Sequence, residues 1–285
     1  MIASEADSNP GKRSEFDLTN RVILVTGAAG QIGSEVVDAY ASYGAAVVLT
    51  DVLPPDEMEE RANKVSTKHG GASVIGLNLD VTSTASVAKA FDTLEERFGR
   101  LDVLVNNAGI DAKFDAKEVL VDTSRFEDYP LELWDRSIAV NLTGLVRVTQ
   151  YAVRLMLRQG SGNIINVGSS YGLVSPNQSL YDFSREVRQT YKPVDYVGSK
   201  SAIANLTRYL ATLYAREGIR CNCIAPHAVD NRHDEDFRNN FEHLSPIGRM
   251  CQVSELRGPF IFLASDASSY MTGAVLVVDG GWTAW

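Results

Sequence analysis

The sequence predicts an α/β fold in which a parallel sheet of about seven strands lies between two layers of helices. Short apolar runs such as 22–26, 46–50 and 103–106 are continuous. Continuous runs are typical of strands that are buried on both faces. Segments with helical spacing separate the runs, and this alternation favours a parallel, doubly wound sheet in three layers.

The first half of the chain shows the alternation clearly. The strand predicted at 22–26 is rich in β-branched residues, and the helix at 32–43 follows it and stops at Gly44. A second strand at 46–50 precedes a charged helix at 56–69. A third strand is predicted at 74–79, and the following helix at 83–98 has Val87, Phe91 and Leu94 on one stripe.

The second half continues the same order with longer helices. The remaining strands are predicted at 103–106, 163–167, 219–225 and 274–278. The remaining helices are predicted at 131–159, 195–216 and 253–264.

Composition narrows the classes of protein. The chain has 285 residues, 45% of them hydrophobic, and a net charge of −9, which disfavours nucleic acid or an anionic membrane as a partner. No apolar run approaches the roughly 18 residues of a membrane span. Three cysteines are too few for a disulfide scaffold and indicate a reducing, cytoplasmic location. We expect a polar tail at 1–17 and one domain at 18–285.

Two long polar segments interrupt the rhythm. Residues 111–129 and 173–194 each follow the carboxyl end of a strand, where open α/β sheets bind their ligands. Long loops in compact domains are usually functional, so both are predicted to border the site. Surface decoration or an oligomer contact is the alternative.

A glycine-rich turn joins the first strand to the first helix. Gly27 permits a tight turn, Gly30 lets the backbone approach a pyrophosphate, and Gly33 lets the helix pack on the strand. This is the dinucleotide-binding pattern of the Rossmann fold. Asp51 ends the second strand, where a carboxylate accepts ribose hydroxyls and repels a 2′-phosphate. Because Val52 is not basic, it offers no cation for a 2′-phosphate, and the pattern predicts NAD rather than NADP. The alternative for Asp51 is a role in a turn or as a helix cap.

Polar residues also end the third and fourth strands. Asp80 and Val81 close the third strand, and residues 106–109 close the fourth with the letters Asn-Asn-Ala-Gly. At this edge of the sheet the adenine and the nicotinamide ribose need polar contacts. Taken alone, the sequence Asn-Asn-Ala-Gly at 106–109 is also typical of an ordinary turn.

One tyrosine of eleven has a lysine four residues later, which places Tyr196 and Lys200 on one helix face. A phenol titrates near pH 10, and a nearby ammonium, joined by the positive nicotinamide of NAD⁺, favours the phenolate and lowers its pKa. Tyr196 is therefore predicted to exchange a proton with a substrate alcohol. Ser169, with Ser170 as the alternative, would hold the substrate oxygen. Asn141 is a poor helix former inside a predicted helix, which suggests a polar role there.

These motifs together resemble the short-chain dehydrogenase/reductase family over about residues 16–285. The resemblance implies a catalytic tetrad of Asn141, Ser169, Tyr196 and Lys200, with Tyr196 as acid/base and Asn141 ordering a water. It also implies homo-oligomers, either dimers or tetramers. The cofactor contacts that we expect are Gly27, Gly30, Gln31, Ile32, Gly33, Asp51, Val52, Asp80, Val81, Asn107, Ala108, Gly109, Tyr196, Lys200 and Val229.

Four features depart from the family pattern. Gln31 replaces the middle glycine of the loop, which is similar to sugar-nucleotide epimerases. The interval from Ser169 to Tyr196 is 27 residues, about fourteen longer than usual for the family. His227 follows Pro226 where the family has glycine, and it either reaches the ligand or is a satisfied loop histidine. The two tryptophans of the end 281–285 are expected at a subunit interface rather than at the substrate.

The function expected from the sequence is therefore an NAD-dependent oxidoreductase that interconverts a secondary alcohol and a ketone. The insertions and the chain end also resemble, more loosely, dehydrogenases of surface-glycan and flagellin modification, which implies a sugar-like substrate. The cations Lys113, Lys117, Arg125, Arg185 and Arg188 either bind an anionic group or keep the loops soluble. The alternatives are a sugar-nucleotide epimerase or dehydratase with tightly bound NAD and a non-catalytic NAD-binding module. No histidine pair has metal-ligand spacing, so no metal is expected.

Overall fold

The computed structural model has one domain built on a seven-stranded parallel sheet. It describes residues 14–111, 125–181, 191–231, 233 and 235–285. The strands are β1 (Val22–Thr26), β2 (Ala46–Asp51), β3 (Val74–Asn78), β4 (Val103–Asn106), β5 (Gly162–Val167), β6 (Ile219–Pro226) and β7 (Val275–Val278). The helices are α1 (Gln31–Ser42), α2 (Pro55–Lys68), α3 (Thr84–Phe98), α4 (Leu131–Ile138), α5 (Leu145–Gln159), α6 (Val194–Tyr214), α7 (Glu235–Leu244) and α8 (Arg257–Ala264).

The order of the strands creates the crevice in which a ligand can bind. Across the sheet they run β3-β2-β1-β4-β5-β6-β7, and every neighbouring pair is parallel. The chain therefore reverses direction across the sheet between β1 and β4, whose central residues Val25 and Val105 are paired. Doubly wound sheets bind ligands at this reversal, outside the carboxyl ends of the strands. The predicted fold class is confirmed.

Two apolar layers hold the helices on the sheet. On one face, Tyr40 of α1 and Phe260 of α8 are fully buried. On the other face, the predicted stripe of α3 packs with α5, and Phe91 is buried there beside Leu94. Full burial of such a side chain contributes roughly 1.5–3 kcal/mol. These layers position the carboxyl ends of the strands, which form the floor of the site.

The helix predicted at 131–159 is interrupted in the structure. A π-helical turn at Ala139–Gly144 separates α4 from α5 and contains Asn141. π-turns within helices are frequent at functional sites. The misfit of an asparagine in this helix predicted a polar role, but residue spacing alone does not distinguish π from α geometry.

The boundaries of the other helices differ less from the predicted ones. The segment predicted as a helix at 253–264 begins with a 3-10 turn, Val253–Leu256. The acidic sequence at 234–236 indicates a helix start, and α7 begins there at Glu235. Residues 1–13, 112–124 and 182–190 lie outside the described residues, so most of the polar tail, most of the first insertion and part of the second stay predictions. Lys113, Lys117, Arg185 and Arg188 are among the residues outside. No helix within the described ranges is long and apolar enough to span a bilayer.

The expectation for the terminal tryptophans is wrong for Trp282. Its indole is buried in the chain itself and stacks on Phe241, with ring centres 5.2 Å apart. Its ring centre also lies 4.5 Å from that of His227. Trp285 is exposed. Trp282 therefore completes an apolar cluster behind the site.

A network of charges ties α1 to two neighbouring helices. The Asp38 carboxylate accepts hydrogen bonds from His69 at 2.8 Å and from Arg257 at 2.9 Å, and it pairs with Lys68 at 2.7 Å. Burial alone would raise the pKa of this carboxyl, but the hydrogen bonds outweigh burial and lower the pKa to about 2. Because the folded pKa is depressed, this carboxylate stabilises the fold above pH 4 and loses its effect as the pH falls toward 2.

We expect Asp38→Asn to lower the free energy of unfolding by about 2 kcal/mol at pH 7. The difference from the unmodified protein should shrink as the pH falls from 4 toward 2.5. Urea denaturation at several pH values measures it. Glu60→Gln, which breaks the exposed pair with Lys64 on α2, is the matched control and should change nothing measurable. A loss at Asp38 that is independent of pH would contradict the electrostatic explanation.

Candidate active site

A cavity of about 1090 Å³ lies at the carboxyl ends of the strands. It runs from Asp51 and the glycine loop at one end to Tyr196 and His227 at the other. The predicted contacts on its wall are Gly27, Gly30, Gln31, Ile32, Gly33, Asp51, Val52, Val81, Asn107, Ala108, Gly109, Ser169, Tyr196, Lys200 and Val229. Asp80 and Asn141 lie off the wall. The fold therefore brings together residues from seven separate parts of the sequence.

The glycine loop leads into the amino terminus of α1. Gly30 is the N-cap and has no side chain to bond the first N–H groups of the helix. These groups and the helix dipole form a site for an anion such as a pyrophosphate. A Cβ atom at Gly33 would collide with the Gly27 carbonyl oxygen, so only glycine permits this close turn. The Gln31 side chain donates a hydrogen bond to the Asp230 carbonyl and so links the loop to the segment after β6.

Four hydrogen bonds clamp the loop to the end of β4. The Thr26 hydroxyl accepts from the backbone N–H groups of Asn107 and Ala108, both at 3.0 Å. The Asn107 side-chain amide donates to the carbonyls of Thr26 and Gly27, both at 2.9 Å. The sequence predicts Asn107 as a cofactor contact, and the structure shows that its side chain also shapes the loop.

Asp51 has both a structural and a cavity-facing position. One carboxylate oxygen accepts the Ala29 N–H at 3.0 Å, and the other accepts the Val52 N–H at 2.8 Å. The side chain also borders the cavity, and that of Val52 beside it is exposed. The turn role and the ligand role, posed as alternatives by the sequence, are thus compatible.

Asp80 takes a different position from the expected one. Its carboxylate accepts hydrogen bonds from the Thr82 N–H at 2.8 Å and the Thr82 hydroxyl at 2.7 Å. These bonds close the turn after β3. Val81, the next residue, reaches the cavity wall. The short polar side chain is held by its own turn because that partner is the nearest one available.

Tyr196 lies near the start of α6, at the far end of the cavity. Burial raises the pKa of its phenol to about 12, and a hydrogen bond with Ser169 acts in the opposite direction. Ser169 follows β5 and borders the cavity, whereas the Ser170 hydroxyl is buried off the wall. Of the two serines, only Ser169 is therefore placed to hold a ligand oxygen beside Tyr196.

Lys200 lies one helical turn after Tyr196 and is buried. Its ammonium donates a hydrogen bond to the Val167 carbonyl at 2.8 Å and lies 5.9 Å from the centre of the Tyr196 ring. Burial lowers the pKa of Lys200 to about 8. The predicted lowering of the Tyr196 pKa requires both this ammonium and the positive nicotinamide of NAD⁺, so it stays a prediction; in the protein without cofactor, burial raises the pKa of Tyr196 and lowers that of Lys200.

Asn141 pins the chain after β4. Its amide oxygen accepts the Ile110 N–H at 2.8 Å, and its amide nitrogen donates to the Ile110 carbonyl at 2.9 Å and to the Ser199 hydroxyl at 3.0 Å. A Cβ atom at Gly109 would lie 3.4 Å from the Asn141 oxygen and 3.6 Å from the Lys200 nitrogen. Asn141 thus links the end of β4 to α6 close to Lys200.

Two further groups border the Tyr196 end. The ammonium of Lys192 lies 4.2 Å from the centre of the Tyr196 ring and forms an ion pair with Asp111. His227 is buried, its ring packs edge-on against Tyr171 at 5.0 Å, and its Nε2 has no hydrogen-bond partner among the described residues. Burial lowers the pKa of His227 to about 4, so the ring is neutral at pH 7. Of its two expected roles, a satisfied loop histidine does not fit.

The pairing of Lys192 with Asp111 was not predicted. Each residue lies at an edge of one of the two insertions, and no sequence spacing links them. Cys221 and Cys223 lie in β6 and are buried in the core as small apolar residues. Within the described ranges, no group of three His, Cys, Asp or Glu side chains is placed to hold a metal ion.

Comparison with known proteins agrees with this geometry. A family model described as enoyl-(acyl carrier protein) reductase matches residues 27–283. The cis-4-hydroxycyclohexanecarboxylate dehydrogenase of Sinomonas cyclohexanicum is 37% identical over 268 residues, which cover 93% of this chain and 97% of that protein. This chain belongs to the short-chain dehydrogenase/reductase family.

Solved structures of this family extend the comparison. A short-chain dehydrogenase from Leptospira borgpetersenii with bound NAD⁺ has a TM-score of 0.80 and 32% identity, covering 95% of this chain and 96% of the other. A gluconate 5-dehydrogenase from Burkholderia cenocepacia, in complex with NADP and tartrate, has a TM-score of 0.79 and 31% identity, covering 95% and 98%. The short-chain dehydrogenase/reductase described here is thus an oxidoreductase that acts on CH–OH groups.

The structure of the cavity fits the nicotinamide dinucleotide that this family uses. The uncapped amino terminus of α1 would hold the pyrophosphate, Asp51 the adenosine ribose, and Lys200 the nicotinamide ribose. When bound, the dinucleotide supplies the hydride acceptor or donor for the carbon of the substrate.

We expect Asn107→Ala to weaken dinucleotide binding by about tenfold or more, because two hydrogen bonds that shape the glycine loop are lost. Calorimetric titration with NAD and with NADP measures the affinity. Asn163→Ala is the matched control, since this buried asparagine donates to the Leu263 carbonyl at 2.8 Å from the opposite end of β5. Equal affinities of the two variants would contradict the role of the Asn107 side chain in shaping the glycine loop.

Proposed function

We propose that the protein is an NAD-dependent dehydrogenase that interconverts a secondary alcohol and a ketone. One observation carries the proposal: Tyr196, Ser169 and Lys200 meet at one end of a cavity whose other end is bordered by the glycine loop and Asp51. A dinucleotide that fills the loop end extends toward Tyr196, where an alcohol has access to both partners of the reaction.

The preference for NAD is supported by charge. The Asp51 carboxylate at the cavity wall disfavours a 2′-phosphate, and Val52 offers no cation to bind one. Arg61 also borders this end, but its guanidinium is engaged by Glu57 through hydrogen bonds of 2.8 Å and 3.2 Å. Because a carboxylate therefore faces the ribose position and the nearby cation is already paired, NAD is favoured.

Proton transfer falls to Tyr196. In the oxidation, the hydroxyl of Ser169 holds the substrate oxygen while the phenolate of Tyr196 takes the hydroxyl proton and the carbinol carbon gives up a hydride. The raised pKa of Tyr196 means that the phenolate is scarce in the empty site. The positive charges of Lys200 and of oxidised cofactor favour it when both are in place. In the reduction, the neutral phenol returns the proton.

A polyhydroxylated substrate is supported by the relatives and by the wall. The gluconate 5-dehydrogenase among the structural neighbours acts on a polyhydroxylated compound. Tyr171 and Tyr181, whose hydroxyl oxygens lie 3.2 Å apart, present polar edges near Tyr196. The alternative of an epimerase or dehydratase has no such support from the relatives described above, which are dehydrogenases and match over nearly the whole chain.

The expected homo-oligomer stays a prediction, as does the cytoplasmic location. Support for an oligomer comes from exposed apolar side chains on the outer faces of α5 and α6. These residues are Leu157, Tyr209 and Leu213.

Tyr196→Phe should lower kcat at least a thousandfold, because it removes the group that exchanges the proton, while the affinity for NAD changes less than about threefold. Absorbance of NADH with a panel of sugars, polyols and hydroxylated rings measures turnover, and calorimetry measures binding. Tyr270→Phe alters a fully exposed tyrosine and is the control. Turnover by Tyr196→Phe at the rate of the control would remove Tyr196 from the mechanism.

Asp51→Ser combined with Val52→Arg should shift the ratio of kcat/KM for NAD over NADP by at least a hundredfold toward NADP. The change removes the charge that repels a 2′-phosphate and adds one that attracts it. Initial rates with both cofactors measure the ratio. Asp56→Ser, at an exposed acidic residue of α2, should leave the ratio unchanged. A parent enzyme that already prefers NADP would contradict the role of Asp51.

A further inference from the structure

The feature that the mechanism leaves unused is the ammonium of Lys192. It lies 4.2 Å from the centre of the Tyr196 ring, closer than the 5.9 Å of Lys200. Its side chain is only 11% exposed, and its backbone N–H is held by the Gln178 side chain at 3.0 Å. A cation is thus fixed beside the group that meets the substrate hydroxyl.

The partner of Lys192 is easier to move than Lys192 itself. Asp111 follows β4, and its side chain is 37% exposed. An exposed carboxylate can return to water at little cost, whereas an ammonium with only a small exposed fraction is less well hydrated and favours an anion beside it. An incoming anion can therefore replace Asp111 as the partner of Lys192.

Lys200 and His227, which the structure also describes at this end of the cavity, are not available to bind an anion. Lys200 is bonded to the Val167 carbonyl, and His227 is neutral because burial lowers its pKa. Arg61, at the opposite end of the cavity, is paired with Glu57. Among the described residues of the wall, Lys192 is therefore the cation at this end whose counter-ion can be exchanged.

We propose that Lys192 binds a carboxylate of the substrate, which makes the protein a dehydrogenase of hydroxy acids; this rests on the proposed alcohol oxidation. The carbinol oxygen lies between Tyr196 and Ser169, and the carboxylate, a few carbon atoms away, takes the place of Asp111 at the ammonium. A single negative charge matches this one cation among the described residues of the wall. The aromatic side chains of Tyr171, Tyr181 and Phe237 line the space beside it.

The site predicts opposite effects of changing the two members of one ion pair. Removing the cation with Lys192→Met removes the binding of a carboxylate. Removing the competing anion with Asp111→Asn frees the ammonium and strengthens that binding. An ion pair that only holds two loops together would instead impair every substrate alike in both variants.

The test compares hydroxy acids with their uncharged amides. The substrates are 3-hydroxybutyrate and 4-hydroxycyclohexanecarboxylate, each beside its carboxamide, with the NAD-loaded enzyme. The measured quantity is the ratio of kcat/KM for the acid over that for the amide. Lys192→Met should lower this ratio by about tenfold or more, the value of one charged hydrogen bond, and Asp111→Asn should raise it. Lys192→Arg should restore most of the preference, and Lys64→Met, at an exposed lysine of α2, should leave both rates unchanged.

A binding measurement makes the result independent of turnover. Cyclohexanecarboxylate and cyclohexanecarboxamide carry no alcohol, and calorimetry with the NAD-loaded enzyme gives their affinities. Tighter binding of the carboxylate that is lost in Lys192→Met supports the proposal even if no alcohol of the panel is oxidised, a result that would count against the dehydrogenase function alone. Equal acid and amide affinities, or equal losses in Lys192→Met and Asp111→Asn, would overturn the proposal and leave the dehydrogenase function standing.

Discussion

The hydrogen bonds between Thr26, Asn107 and Gly27 are the constraint on which the site depends. They join the glycine loop after β1 to the chain after β4, at the point where the strand order reverses. A doubly wound sheet opens a crevice there, and without a clamp the two loops would be free to separate. Because the clamp holds the loop, the amino terminus of α1 points at one end of the crevice, while α6 brings Tyr196 to the other.

Burial controls the electrostatics of the reacting end more than neighbouring charges do. The pKa of Tyr196 is raised and that of Lys200 is lowered, in both cases first by desolvation. Burial therefore keeps the Tyr196 phenol neutral in the empty site, whereas Lys200, with a pKa of about 8, stays mostly charged at pH 7. A positively charged cofactor bound there would lower the proton affinity of Tyr196. Nearby, the positive charge of Lys192 is neutralised by the Asp111 carboxylate while the two side chains form their ion pair.

Packing around His227 determines its protonation state. The ring lies against Tyr171 and Trp282, and burial keeps it uncharged at pH 7. Trp282 comes from near residue 285, so residues 55 positions apart pack together behind the site. This cluster is aromatic and uncharged at pH 7, in contrast to the charged pair of Lys192 and Asp111.

Local patterns in the sequence determined the strands, most helices and the contacts that follow single strands. Continuous apolar runs placed β1 and β4 correctly, and the pattern of Gly27, Gly30 and Gly33 placed the loop, because each depends on residues close together in the chain. The i,i+4 spacing likewise put Tyr196 and Lys200 on one face. What only the tertiary structure decided depends on distant partners. The π-turn around Asn141, the burial of Trp282 and the meeting of Asp111 with Lys192 all arise from elements that approach each other only once the sheet has formed. Their physical cause is desolvation and hydrogen bonding across the fold, which no interval along the chain encodes.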